Sequence, residues 1–166
     1  MADPAPPRAL LVGFVREPEI DLLARAAAAL RARLPQAQIV GLAPRSLASL
    51  LAAVPVDGWL WQEQALGAGG LVTRLRAARF AWACIAYSGG GPLGSLKLEL
   101  VALLSGAPRL LAWRRGRLQR LGRAHLAALA LAKSALLCSL ALFGVLASLV
   151  AGALLFSAGR RRARPV

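Results

Sequence analysis

The stretch RALLVGFVREPEIDLLARAAAALRARLPQAQIVGLA, Arg8 to Ala43, carries the pattern on which the fold turns. RALLVGFV (Arg8–Val15) is a short, continuous apolar run, as expected of a strand buried on both faces of a sheet. EIDLLARAAAALRARL (Glu19–Leu34) switches to helical spacing, with acids in the first turn where the helix dipole favours them. Pro35 stops that helix, and QIVGLA (Gln38–Ala43) is strand-like again. Two buried strands separated by an amphipathic helix form a parallel crossover unit, because an antiparallel pair would need only a tight turn.

The rhythm continues outward from this unit. Ser46–Val54 reads as a short helix ended by Pro55, and GWLWQE (Gly58–Glu63) as a third strand. A Gly-rich loop and a helix over Leu71–Arg79 precede a fourth strand, WACIAYS (Trp82–Ser88). GGGPLGS leads into a helix over Leu96–Ser105, and RLLAWR (Arg109–Arg114) is the fifth strand. The expected fold class is α/β, a Rossmann-like doubly wound parallel sheet of about five strands, followed by one transmembrane helix. Residues 1–116 form the Rossmann-like domain, 117–133 a basic juxtamembrane helix, 134–159 the span and 160–166 an arginine-rich tail. No internal repeat stands out, and Ala26–Ala29 is the one low-complexity piece.

Composition supports this partition. The 166 residues are 58% hydrophobic and carry a net charge of +14, with a mean hydropathy of +0.59. That is too apolar for an ordinary soluble domain and far too apolar for a disordered basic tail. Residues 1–108 hold ten basic residues and all seven acids, a net of +3. The remaining eleven basic residues stand at Arg109, between Arg114 and Arg123, at Lys133 and from Arg160 to Arg164, with no acid among them. Between these clusters runs SALLCSLALFGVLASLVAGALLFSAG, Ser134–Gly159. As a helix it would be about 39 Å long, more than the hydrocarbon core of a bilayer requires. The larger cluster on its amino side favours a cytoplasmic amino-terminal domain. The start MADPAPPRALLVGF puts Asp3 where a signal peptide has basic residues. The apolar lead-in HLAALALA allows an alternative, a shallow hairpin with both arginine clusters on one side. Nucleic acid is not an expected partner, since the α/β half carries only +3.

Several residue groups are candidates for chemistry. Ligands of doubly wound sheets bind beyond the carboxyl ends of the strands, so the loops to watch are 16–18, 44–46, 64–70 and 88–95. Gly89, Gly91 and Gly94 satisfy a GxGxxG spacing between a strand and a helix, where bare amides, those of Gly90 and Ser95 included, can hold a phosphate. The same pattern also suits a plain turn capped by Ser95, because it follows the fourth strand rather than the first. Glu17, Glu19 and Asp21 are the clustered acids, available either as a general base or as complements to the helix dipole. Arg114, Arg115, Arg117, Arg120 and Arg123 are expected to touch anionic membrane headgroups, a lipid-linked phosphate included, or to act as a topology signal. Gly144, Ser148 and Gly152 recur every fourth residue, a spacing that permits close helix packing. Cys84 and Cys138, with His125 alone, support neither a zinc site nor a disulfide framework, and read as buried structural thiols. No metal and no cofactor is expected. The preference for Arg, Ala and Leu suggests a G+C-rich bacterial genome.

Three phrases, ALRARLPQAQI (Ala29–Ile39), LRAARFAWACI (Leu75–Ile85) and LLSGAPRL (Leu103–Leu110), resemble the amino-terminal, acceptor-side half of the heptosyltransferase-like GT-B glycosyltransferases. The resemblance covers about two thirds of the chain and implies a Rossmann-like half domain and hexosyl or heptosyl transfer chemistry. The family's first loop carries a Gly-Asp pair whose Asp is the catalytic base, whereas this loop reads GFVREPEID, Gly13–Asp21. The family also places a second Rossmann-like domain around the nucleotide-sugar, where here an apolar run follows. The expectation is a membrane-anchored, noncatalytic accessory subunit in envelope glycan or lipid-linked sugar assembly, at the bacterial inner membrane. Its expected partners are membrane lipid, a soluble glycosyltransferase subunit, or a second copy through the span. A ligand-free membrane scaffold and a stand-alone glycosyltransferase are the alternatives.

Overall fold

A computed structural model describes residues 6–13, 19–64, 67–88, 95–139 and 141. Its compact first unit, Met1–Ala130, contains one six-stranded sheet. The strands are β1 (Arg8–Gly13), β2 (Gln38–Ala43), β3 (Gly58–Trp61), β4 (Trp82–Ala86), β5 (Arg109–Arg114) and β6 (Arg117–Leu121). Three helices connect them, α1 (Ile20–Arg33), α2 (Gly67–Ala77) and α3 (Leu96–Leu104). The order across the sheet is β3-β2-β1-β4-β5-β6, all parallel except the β5–β6 pair.

The apolar runs are strands because both their faces are covered. Ala9 and Leu11 of β1, with Cys84 and Ala86 of β4, enter one core with Leu23, Ala26, Ala27 and Leu30 of α1. Leu10 and Val12, with Ala83 and Ile85, enter the opposite core with Leu75 of α2 and Leu98, Val101 and Ala102 of α3. Alternate residues of one strand thus supply two separate cores. Small residues permit close layering where bulk is needed opposite. Trp59 of β3 lies across Gly41, its register partner on β2, and stacks with Trp61 at 6.0 Å between ring centroids.

Three expectations are corrected. The segment Ser46–Val54 forms two 3-10 turns, Arg45–Leu47 and Leu50–Ala53, rather than a helix. Helix α2 begins at Gly67, inside the Gly-rich stretch expected to be loop. The sheet has six strands, and residues 117–121 of the expected juxtamembrane helix form β6 instead. Leu118 and Leu121 sit three apart, a spacing that suggests one helical face. In the strand they point to opposite faces, and each packs against a different core. The turn decides this: Arg115 and Gly116 have φ of 47° and 76°, as a two-residue hairpin joining twisted strands requires. Helical backbone appears over 123–139, and Leu126 and Ala130 are buried.

A second compact unit, Leu131–Val166, is described only in part. No helix among the described residues is long and apolar enough to cross a membrane. Most of the expected span at 134–159, its packing face Gly144, Ser148 and Gly152, and the tail 160–166 lie outside the described residues. Cys138 is exposed, contrary to the expectation of a buried thiol, whereas Cys84 is fully buried.

Candidate functional site

The strand order places the reversal of winding between β1 and β4. From β1 the chain moves outward through β2 to β3, then returns to β4 on the other side of β1. Such a reversal opens a crevice at the carboxyl ends of the two strands on either side. The strand ends that lead into the two candidate loops, those of β1 and β4, are neighbours in space. Gly13 and Ala86 are register partners at that edge.

Helix α3 starts from this edge and supplies Glu99. The side chain is fully buried, yet it is not isolated, because Tyr87 Oη donates to its Oε1 at 3.1 Å and Ser95 Oγ at 2.9 Å. One carboxylate oxygen thus ties together the residue that leaves β4 and the residue that enters α3. Burial, then the charge and hydrogen bond of Glu99, push the Tyr87 hydroxyl from its ordinary 10.0 up to about 12. The Arg114 guanidinium carbon stands 4.1 Å from the Tyr87 ring centroid and acts in the opposite direction on that hydroxyl. Neither Tyr87 nor Glu99 was expected as a functional residue. The available signal was one acid among the leucines of LKLELVALL, four residues after Ser95, and the chain's single tyrosine.

The expected site residues divide by position. Glu17 and the glycines at 89, 90, 91 and 94 lie outside the described residues. Ser95 directs its hydroxyl to Glu99 and makes no side-chain cap to α3. Asp21 is exposed in the first turn of α1. Glu19 precedes α1 at the β1 side of the crevice, and its Oε2 is buried with no hydrogen-bond partner among the described residues. Glu63, beyond β3, accepts the backbone N–H of Arg45 at 2.8 and 3.0 Å.

The five basic candidates do not form one collar. Arg114, Arg115 and Arg117 cluster at the tip of the β5–β6 hairpin, at the carboxyl edge of the sheet. Arg120 pairs with Leu111 on the α1 side of β6. Arg123 donates from Nη1 to the Ala107 carbonyl at 3.0 Å and the Gly106 carbonyl at 3.4 Å, closing the turn between α3 and β5 at the opposite edge. Six residues of strand separate the two edges by about 17 Å. Among the described residues no group of His, Cys, Asp or Glu could hold a metal ion. Burial pushes the Cys84 thiol up to about 12, so it is an inert core group.

This sequence matches no family model and no curated protein. In structure it is similar to the ADP-heptose LPS heptosyltransferase II of E. coli, at 26% identity with a TM-score of 0.52. The likeness covers 72% of this chain and 33% of that one, so it spans about one third of the enzyme's length. The fold is heptosyltransferase-like, as the three sequence phrases implied.

Proposed function

We propose that this protein is a membrane-anchored, noncatalytic accessory subunit in envelope glycan or lipid-linked sugar assembly, with its α/β domain on the cytoplasmic face of a bacterial inner membrane. The observation that carries this reading is the likeness to one third of a heptosyltransferase. In this sequence the matching α/β pattern is followed by the apolar run 134–159. Two carboxylates at or beneath the carboxyl edge are already engaged, Glu99 by Tyr87 and Ser95, and Glu63 by the Arg45 amide. A carboxylate held in such bonds is poorly placed to take a proton from an acceptor hydroxyl.

Co-expression of the full chain with a soluble glycosyltransferase encoded beside it tests the reading. The two are expected to co-purify from detergent extracts, and transfer of a labelled sugar to polyprenyl phosphate should require both. Failure to co-purify, with transfer unaffected by deletion of this chain, overturns the proposal.

One observation favours a second reading, a transferase active by itself. Glu19 offers a buried oxygen with no hydrogen-bond partner among the described residues, just before α1, where a general base would stand. That reading requires transfer by the purified chain alone and its loss in Glu19→Gln. The absence of transfer by the chain alone rejects it.

A further inference from the structure

Arg114 and Arg117 face each other across the hairpin on the α2–α3 side of the sheet. Like charges directly opposite in a sheet cost stability, and neither side chain has an ion pair among the described residues. An ion pair is found elsewhere, between Arg31 and Asp57. The arrangement is nevertheless built rather than loose. Arg115 and Gly116 hold the turn with positive φ, and Tyr87 lies beneath the Arg114 guanidinium. The Tyr87 hydroxyl is in turn held by the buried Glu99.

Three features converge at this point. The pair stands at the carboxyl edge, where open α/β sheets bind ligands. Helix α3 begins at the same edge, after Ser95, and directs the positive end of its dipole there. Both guanidiniums are exposed at the surface and carry the planar donor fork that matches phosphoryl oxygens two at a time. Directly opposed strand residues have backbones about 5 Å apart, a span suited to two linked phosphoryl groups.

We propose that Arg114, seated on Tyr87, and Arg117, its partner across the hairpin, form a binding site for a diphosphate group. The site accounts for the unneutralised arginine pair: a bound dianion removes the repulsion that the hairpin otherwise carries. It separates these two arginines from Arg123, which serves the opposite edge of the sheet. Within the proposed function, on which the choice of ligand rests, the diphosphate belongs to a sugar-bearing donor or to a lipid-linked acceptor. Both sources share the same phosphoryl chemistry.

The experiment uses the full chain in nanodiscs of neutral phosphatidylcholine, titrated calorimetrically with inorganic pyrophosphate. Saturable binding is expected, weakened about tenfold or more by the R114Q/R117Q double variant. R120Q, on the other face of β6, should leave it unchanged. R114K/R117K retains charge without the fork and is expected to lie between, with circular dichroism showing that each variant is folded. A second arm replaces part of the lipid with phosphatidylglycerol. If pyrophosphate still binds at matched ionic strength, a free diphosphate is the source. If the anionic lipid displaces it through the same two arginines, the site reads a headgroup phosphate. No saturable binding in neutral discs, or equal loss in R120Q, overturns the site. Co-purification with the soluble transferase is unaffected by that failure, so the two proposals fall separately.

Discussion

Glutamate 99 is the best place to perturb this molecule, because the chain has one tyrosine and its hydroxyl reports on that carboxylate. In the native protein Tyr87 is expected to ionise at about 12 against an ordinary value of 10.0. Burial is the largest cause, and the charge and hydrogen bond of Glu99 follow. Glu99→Gln removes the charge and keeps an acceptor, so the midpoint should fall while staying above 10.0. Arg114→Gln should raise it, since that guanidinium favours the phenolate. A hydroxyl whose folded value is raised contributes stability that is fully present below pH 10 and is lost as pH rises through about 12. The interval corresponds to at most about 2.7 kcal/mol. Tyr87 is only partly buried, so solvent screening reduces this to about 1 kcal/mol. Tyrosinate absorbance near 295 nm gives the midpoint, with far-ultraviolet circular dichroism on the same samples to show that the fold persists. A native midpoint near 10, or an unchanged midpoint of about 12 in Glu99→Gln, would refute the proposed coupling.

Two further perturbations test how the sheet is held. An ideal Cβ at Gly41 would lie 2.5 Å from Trp59 Cε3 and 2.8 Å from Cη2, so Gly41→Ala should displace the indole and cost about 1–3 kcal/mol in urea unfolding. Wild-type stability together with unchanged tryptophan fluorescence would show that Trp59 does not cover Gly41. Asp57 accepts from Arg31 and, at 2.6 Å, from the Ile39 amide, and the Arg31 hydrogen bond holds its carboxyl below the usual 3.8. Its contribution is therefore present above pH 3.8 and is lost as pH falls through the lower folded value. Asp57→Asn should destabilise the protein by about 0.5 kcal/mol at neutral pH, a small value because the pair is well exposed. The gap between wild type and variant in thermal melts should narrow as pH falls below 3.8. A gap of constant size would assign the effect to something other than the carboxylate charge.

Much of the fold was legible because burial on both faces leaves a plain mark on sequence. QIVGLA and RLLAWR are strands over the same residues that their apolar runs delimit. Helix α1, opened by acids and closed before Pro35, lies within one residue of its expected bounds. The hairpin was not legible. Leu118 and Leu121 have helical spacing, and only the positive φ at Arg115 and Gly116 makes them serve two cores from one strand. Periodicity reports which residues need burial, but it cannot say whether one face or two will provide it.

The candidate site followed the same division. Sequence alone was enough to determine an α/β domain of low net charge followed by a strongly basic and apolar second part. Linear order made Arg114 to Arg123 look like one basic cluster, since ten residues of chain hold all five arginines. Tertiary structure divided them, because an antiparallel strand returns the chain across the sheet and moves Arg123 to the opposite edge from Arg114. It also brought Glu99 beneath Tyr87, although twelve positions separate them. Composition and periodicity are local properties that a chain carries before it folds. Which charges share an edge, and which carboxylate is buried beneath which ring, depends on strand direction and sheet order, and these exist only once the strands have paired.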